Sequence, residues 1–153
     1  MEEKRFRIGL NGFGILLFTA VMLPNILWYY FPAGNDPLRI PTSTVMLDTI
    51  AMFFQAVFVF FMCLLVDNMA EKPTWRHPRI LAAFALVPLY YLSWALYYFV
   101  TAHMAVILAL AVLPCLAFLA VEAAYQNRLA AIPTVIFLVL HTMSSAILCL
   151  QIG

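Results

Sequence analysis

Charge is what this chain is short of. Asp, Glu, Lys and Arg make up only 10% of its residues, against about a quarter in an ordinary soluble domain. With 66% of residues hydrophobic and a mean hydropathy of +1.00, it cannot cover a surface that faces water, so its solvent is largely lipid. The net charge of +1 lacks the clustered basic footprint that nucleic-acid binding needs. Cysteine is scarce too. Cys63, Cys115 and Cys149 fall inside apolar segments at different expected depths, which gives no disulfide framework and leaves them as small packing residues. No lysine lies inside an apolar run, so a retinal-type Schiff base is excluded. One mid-membrane histidine cannot supply two axial haem ligands within one copy. There is no H-E-x-x-H, no Cys/His cluster at zinc spacing and no phosphate-cradling glycine loop, and neither a cofactor nor a metal is expected.

Long apolar runs are what it does have. A helix that spans the hydrocarbon core takes about 20 apolar residues, and five windows qualify: 8–31, 44–66, 79–100, 104–123 and 129–153. The connections between them are short, so residues 1–153 form one all-α membrane domain with no extramembrane unit. No internal repeat is visible, which weighs against a transporter built on inverted repeats. The basic segment 1–7 is like the start of a signal peptide, but the run after it is too long and no A-x-A site follows. The expectation is a retained first helix.

Positive charge sets the orientation. Lys4, Arg5 and Arg7 precede the first window; Lys72, Arg76 and Arg79 separate the second and third; Arg128 separates the last two. These regions alternate to one face, and the other has only Arg39. Seven against one predicts a cytoplasmic N-terminus and an outside C-terminus. Trp28 and Trp94 are expected at the outer interface and Trp75 at the inner one, where indole anchors at headgroup level. The loop between windows 1 and 2 holds turn-formers Pro32, Gly34, Asn35, Pro37 and Pro41. The basic 71–79 loop is a topogenic segment that also suits anionic lipid.

Several local patterns line up along the chain: Leu23-Pro24-Asn25, then Leu89-Tyr90-Tyr91 with Trp94, then Leu113-Pro114 with Phe118-Leu119, then His141. In this order the chain resembles a group of uncharacterised bacterial five-helix membrane proteins of the Firmicutes type. The resemblance implies architecture and a bacterial membrane, and no activity. Glu71-Lys72-Pro73-Thr74-Trp75 is similar to a loop of tryptophan-rich sensory (translocator) proteins, but there it would precede the second helix and here it precedes the third, so that match is set aside.

An ionisable side chain at a helix centre in lipid costs about 2.5–3.5 kcal/mol by insertion scales, so polar residues inside spans face other helices or a cavity. At 100° per residue, Asp48, Met52, Gln55, Val59 and Met62 share one face of helix 2, and Phe53, Phe54, Phe60 and Phe61 the lipid side. In helix 5, Thr134, Phe137, His141, Ser144, Ser145 and Leu148 oppose Ile132, Ile136, Val139, Met143, Ile147 and Leu150. Asn11, Ile15, Phe18, Met22 and Asn25 align in helix 1; Tyr90, Ser93 and Tyr97 in helix 3; Cys115, Phe118 and Glu122 in helix 4. Interhelical hydrogen bonding explains such stripes without any ligand.

The candidate ligand-binding residues are Asn25, Asp48, Ser93, Gln55 and His141. By rise per residue, Asn25, Asp48 and Ser93 fall in the outer third and Gln55 and His141 near the midplane. Pro24 frees the carbonyl of Ala20, and an exposed carbonyl beside Asn25 and Asp48 suits a cation or a ligand amine. Against this, Asp48 in the first turn of helix 2 also suits the helix dipole. His141 reads as a packing residue or as a titrating imidazole, and Glu122 as the end of helix 4 at the cytoplasmic interface. Pro88 and Pro114 are expected to kink helices 3 and 4, with Pro133 tolerated in the first turn of helix 5.

The sequence thus predicts a five-helix integral membrane bundle of the bacterial cytoplasmic membrane, surrounded by lipid and suited to forming a homo-oligomer. The expected function is binding or transport of a small molecule, ion or lipid within the bundle. The alternative is a non-catalytic accessory subunit recognising a membrane partner; no catalytic motif points to an enzyme.

Overall fold

A long apolar run in hydrocarbon has one open-chain way to satisfy its backbone, and that is a helix. The computed structural model of the protein, which describes residues 6–34, 36–41, 43–67 and 72–152, has five. They are α1 (Gly12–Tyr30), α2 (Val45–Leu64), α3 (Pro78–Phe99), α4 (Met104–Ala124) and α5 (Arg128–Ile152). At 19 to 25 residues each, they measure about 29–37 Å, enough for the roughly 30 Å hydrocarbon core. The protein is an all-α five-helix membrane bundle. Lys4, Arg5, Asn35 and Glu71, named above, lie outside the described residues.

α4 is the central helix. It lies against α3 and α5, while α2 packs on α5, and α1 leans on α3, α4 and α2. Small side chains let the backbones approach: Ala111, Cys115, Ala117 and Ala124 of α4, Ala83 of α3 and Ala130 of α5 are all buried. Phe58 of α2 fills the centre, its ring 5.3 Å from Phe118 and 5.4 Å from Phe137.

The two windows nearest the N-terminus end differently from expectation. Window 8–31 begins as helix only at Gly12, because the buried Asn11 caps it, its side-chain oxygen accepting from Gly14 N at 3.1 Å. The preceding residues are extended instead. β1 (Phe6–Ile8) pairs antiparallel with β2 (Leu65–Asp67), in register Phe6↔Asp67, Arg7↔Val66 and Ile8↔Leu65. An apolar run alone does not distinguish strand from helix at its margins.

The ribbon continues into α2. Gly9 N donates to Leu64 O at 3.0 Å and Asn11 N to Cys63 O at 2.9 Å. These are carbonyls of the last turn of α2, which no helical N–H can reach. Asn127, buried in the α4–α5 turn, completes the set by donating to Phe61 O at 3.0 Å and Leu65 O at 3.2 Å. Its own oxygen accepts from Ala130 N and so caps α5. The freed carbonyl beneath Pro24 is satisfied likewise, since Ala20 O accepts from Tyr91 Oη at 2.7 Å. His77 and His103 cap α3 and α4 through Nδ1.

The helix phases hold best in α5. Thr134, Phe137, Ser144, Ser145 and Leu148 are buried, and Ile132, Val139, Met143 and Leu150 exposed. In α2 the buried stripe is rotated by about one residue. Ala51, Phe58 and Met62 are buried, while Met52, expected inside, is 67% exposed. Phe53 and Phe60 face outward as expected, but Phe54 and Phe61 pack against the core. The reason is Phe58, whose ring takes the central position and turns the helix toward it. Trp94 is buried beside Trp28, with ring centroids 6.3 Å apart. Pro133 is the sixth residue of α5, beyond its first turn.

The α1–α2 contact is close enough to test by one methyl group. A Cβ at Gly14 would meet Met62 O at 2.9 Å, whereas Gly12 has nothing within 4 Å. Gly14→Ala is expected to destabilise the protein by about 1–3 kcal/mol through overpacking. Gly12→Ala should be neutral or stabilising by up to about 1 kcal/mol. Equal thermal unfolding of the two variants in mild detergent would contradict this packing. Asn127→Ala removes the cap of α5 and the amide bond to Leu65 O, while Phe61 O keeps its bond from Leu65 N; it should cost about 1–3 kcal/mol, the range for a buried group left unsatisfied.

Candidate functional site

Midway along the bundle all five helices leave a cavity of about 120 Å³. Its polar wall is Asn25 from α1, Gln55 from α2, Tyr90 from α3 and His141 from α5. Phe118 and Pro114 of α4 supply much of the apolar wall. A proline in mid-helix lacks an N–H and pushes the preceding turn away, which leaves room at this level of α4.

Two of the polar groups already have protein partners. Asn25 Nδ2 donates to Tyr90 Oη at 2.7 Å and to Val21 O at 2.8 Å. The other two are different in kind. His141 stacks on Phe137 with centroids 5.0 Å apart and planes 12° from parallel, which fixes the ring. Yet among the described residues neither its imidazole nor the Gln55 amide makes a hydrogen bond, and both line the cavity. Both present unpaired hydrogen-bonding groups to the cavity, which suits a guest that bonds them.

Asn25, Gln55 and His141 therefore come together, and Asp48 and Ser93 do not join them. Asp48 sits in the α2–α5 seam nearer the helix ends. There Ser144 Oγ lies 2.5 Å from Asp48 Oδ1 and Thr44 Oγ1 2.9 Å from Oδ2. Ser93 turns back to Leu89 O of its own helix at 2.9 Å. The pocket expected of Asn25, Asp48 and the Ala20 carbonyl does not assemble, because Tyr91 occupies that carbonyl and each polar side chain has another partner. Asp48 is a tie between α2 and α5 that the dipole reading of its position only partly anticipates.

Two polar features escaped the sequence reading. One is Tyr90, aligned correctly on its helix but given no role. The other is the loop after α1, read only as turn-formers. Its 3₁₀ turn, Pro37–Arg39, places Asp36 to accept from Trp28 Nε1 at 2.8 Å and from the Tyr97 hydroxyl. Arg39 pairs with Asp36 at 3.3 Å and donates to Trp28 O and Tyr29 O. Tyr98 donates to Phe31 O at 2.7 Å. This latch satisfies the carbonyl end of α1 and forms one wall of a wide cleft of about 830 Å³ at that end. The polar groups of the latch serve one another. The spacing of Asp36 and Arg39, three apart in a Pro-containing loop, was the available signal.

No protein-family profile, curated protein or solved structure matches this chain.

The cavity wall can be perturbed without a change of shape. Tyr90→Phe removes the acceptor for Asn25 but leaves Asn25 bonded to Val21 O. It should cost about 0.6 kcal/mol, the mean for an interhelical hydrogen bond in a membrane protein. A loss above roughly 2 kcal/mol in detergent unfolding would exceed the largest value usual for one such bond and show that Tyr90 carries the wall alone.

Proposed function

We propose that this protein binds or passes one small uncharged polar molecule inside its helix bundle. The observation that carries this reading is the pairing of two unbonded polar side chains, Gln55 and His141, with an interior cavity between all five helices. Size narrows the guest. About 120 Å³ is the room of some four waters at roughly 30 Å³ each, well below the 300–1,000 Å³ typical of drug-sized sites. A lipid is too large for it. Charge narrows it further, since the wall contains no Asp, Glu, Lys or Arg and an unpaired ion is costly to bury. Among the described residues no group of His, Cys, Asp or Glu is arranged to hold a metal ion.

The membrane is proposed to be a bacterial cytoplasmic one, with the Arg-rich end of the bundle inside. The seven-to-one distribution of Lys and Arg supports that orientation. A reporter fused after Arg79 should read inside and one fused after Gly153 outside; a C-terminus on the same side as Arg79 would overturn it.

A second reading, an accessory subunit, draws on the exposed face of α2, where Phe53, Ala56, Val57, Phe60 and Phe61 form an apolar groove of about 270 Å³. Native mass spectrometry from mild detergent separates the two. The binding reading predicts a retained small adduct, with Gln55→Leu and His141→Leu each lowering its occupancy about tenfold, the equivalent of one 1.4 kcal/mol contact. A chain that carries no small adduct and retains a foreign membrane protein would favour the accessory role.

A further inference from the structure

Glu122 is the one carboxylate buried within α4, and its side chain is 1% exposed. It faces Thr134 of α5, whose hydroxyl oxygen lies 2.6 Å from Glu122 Oε1. The same hydroxyl lies 2.9 Å from Ala130 O. A carbonyl oxygen only accepts, and a threonine hydroxyl has one hydrogen. Two short contacts therefore call for two hydrogens, and Thr134 can supply only one. A proton on Glu122 supplies the other: Oε1–H donates to Thr134 Oγ1, and Thr134 donates onward to Ala130 O. The remaining oxygen, Oε2, has no hydrogen-bond partner. That is tolerable for the carbonyl oxygen of a neutral acid and severe for half of a buried carboxylate.

The charged groups around it do not supply a counter-ion. Arg79 of α3 directs its guanidinium to Ala123 O at 2.7 Å, and Arg128 lies at the rim of the α4–α5 turn. Among the described residues neither forms an ion pair with Glu122. Cys115, about two turns earlier on α4, is a titratable neighbour. Glu122 itself forms part of the wall of a cavity of about 280 Å³ at the basic end, shared with Gln126, Asn127 and Arg128.

We infer that Glu122 is a proton-binding site: it is held in the bundle as a neutral carboxylic acid bonded to Thr134, and it exchanges its proton through the cavity at the basic end. On release the Oε1–H bond breaks and the proton passes to water in that cavity. The carboxylate left behind keeps the electron pair, and the Thr134 hydroxyl swings from Ala130 O to donate to Oε1. Proton occupancy is thereby coupled to the α4–α5 contact. This inference is independent of whether the central cavity holds a guest.

Infrared spectroscopy of the full chain in lipid nanodiscs tests it. Glu122 is the one glutamate of the five helices, and carbon-13 labelling of glutamate separates its band from those of the aspartates. The expected result is a protonated-carboxyl C=O band at neutral pH that moves on labelling, fades as pH rises, and is absent from Glu122→Gln. Only ionised glutamate bands at neutral pH would overturn the inference, and so would a labelled carboxyl band that survives in Glu122→Gln. The labelling result on the unaltered chain stands even where the variant does not fold.

Discussion

Hydrocarbon offers no hydrogen bonds, so each backbone group at a helix end or proline break needs a partner from the protein. Much of the detail in this structure follows from that constraint. The last turn of α2 is served by Gly9 and Asn11, just after β1, and by Asn127, the end of α1 by Arg39 and Tyr98, and the break at Pro24 by Tyr91. These partners come from distant parts of the chain. The bonds that complete the helices are therefore also the bonds that arrange them, and Asn127 joins α2, α4 and α5 in one residue.

This explains which features the sequence made legible. Helix number and approximate span follow from the length of apolar runs, and the phase of α5 from its clear division between Thr/Ser/His and branched aliphatics. The phase of α2 was less secure because both of its faces carry large apolar residues. Polarity pointed to Asp48 and Gln55, while the volume of Phe58 decided the rotation. The β1–β2 ribbon was not legible, since Phe6–Ile8 and Leu65–Asp67 are three residues each, too short for a period to show beside the apolar runs next to them. Nor were Asn127 and Asp36, ordinary loop residues by type, whose importance lies in carbonyls more than fifty residues away in the case of Asn127.

The same constraint gives meaning to the polar groups left over. Most polar side chains in the bundle are spent on tying helices together, as Asp48 is with Ser144 and Asn25 with Tyr90. Gln55 and His141 are not, although they sit where partners are hardest to replace. Of the five residues proposed from sequence, those two and Asn25 share the cavity, and the outer trio centred on Asp48 is dissolved by better local partners. Glu122 completes the contrast at the basic end, where a hydrogen is missing from the Thr134 contacts and Oε2 is left without a partner.

We propose that Gln55 and His141 are kept unbonded by the protein for a guest in the bundle interior. A crystal structure grown from a lipidic mesophase tests it directly. The expected result is compact non-protein density between them, within about 3.2 Å of the Gln55 amide and a His141 ring nitrogen. A closed interior in which the two side chains bond each other, or other protein groups, with no space between them, would contradict it.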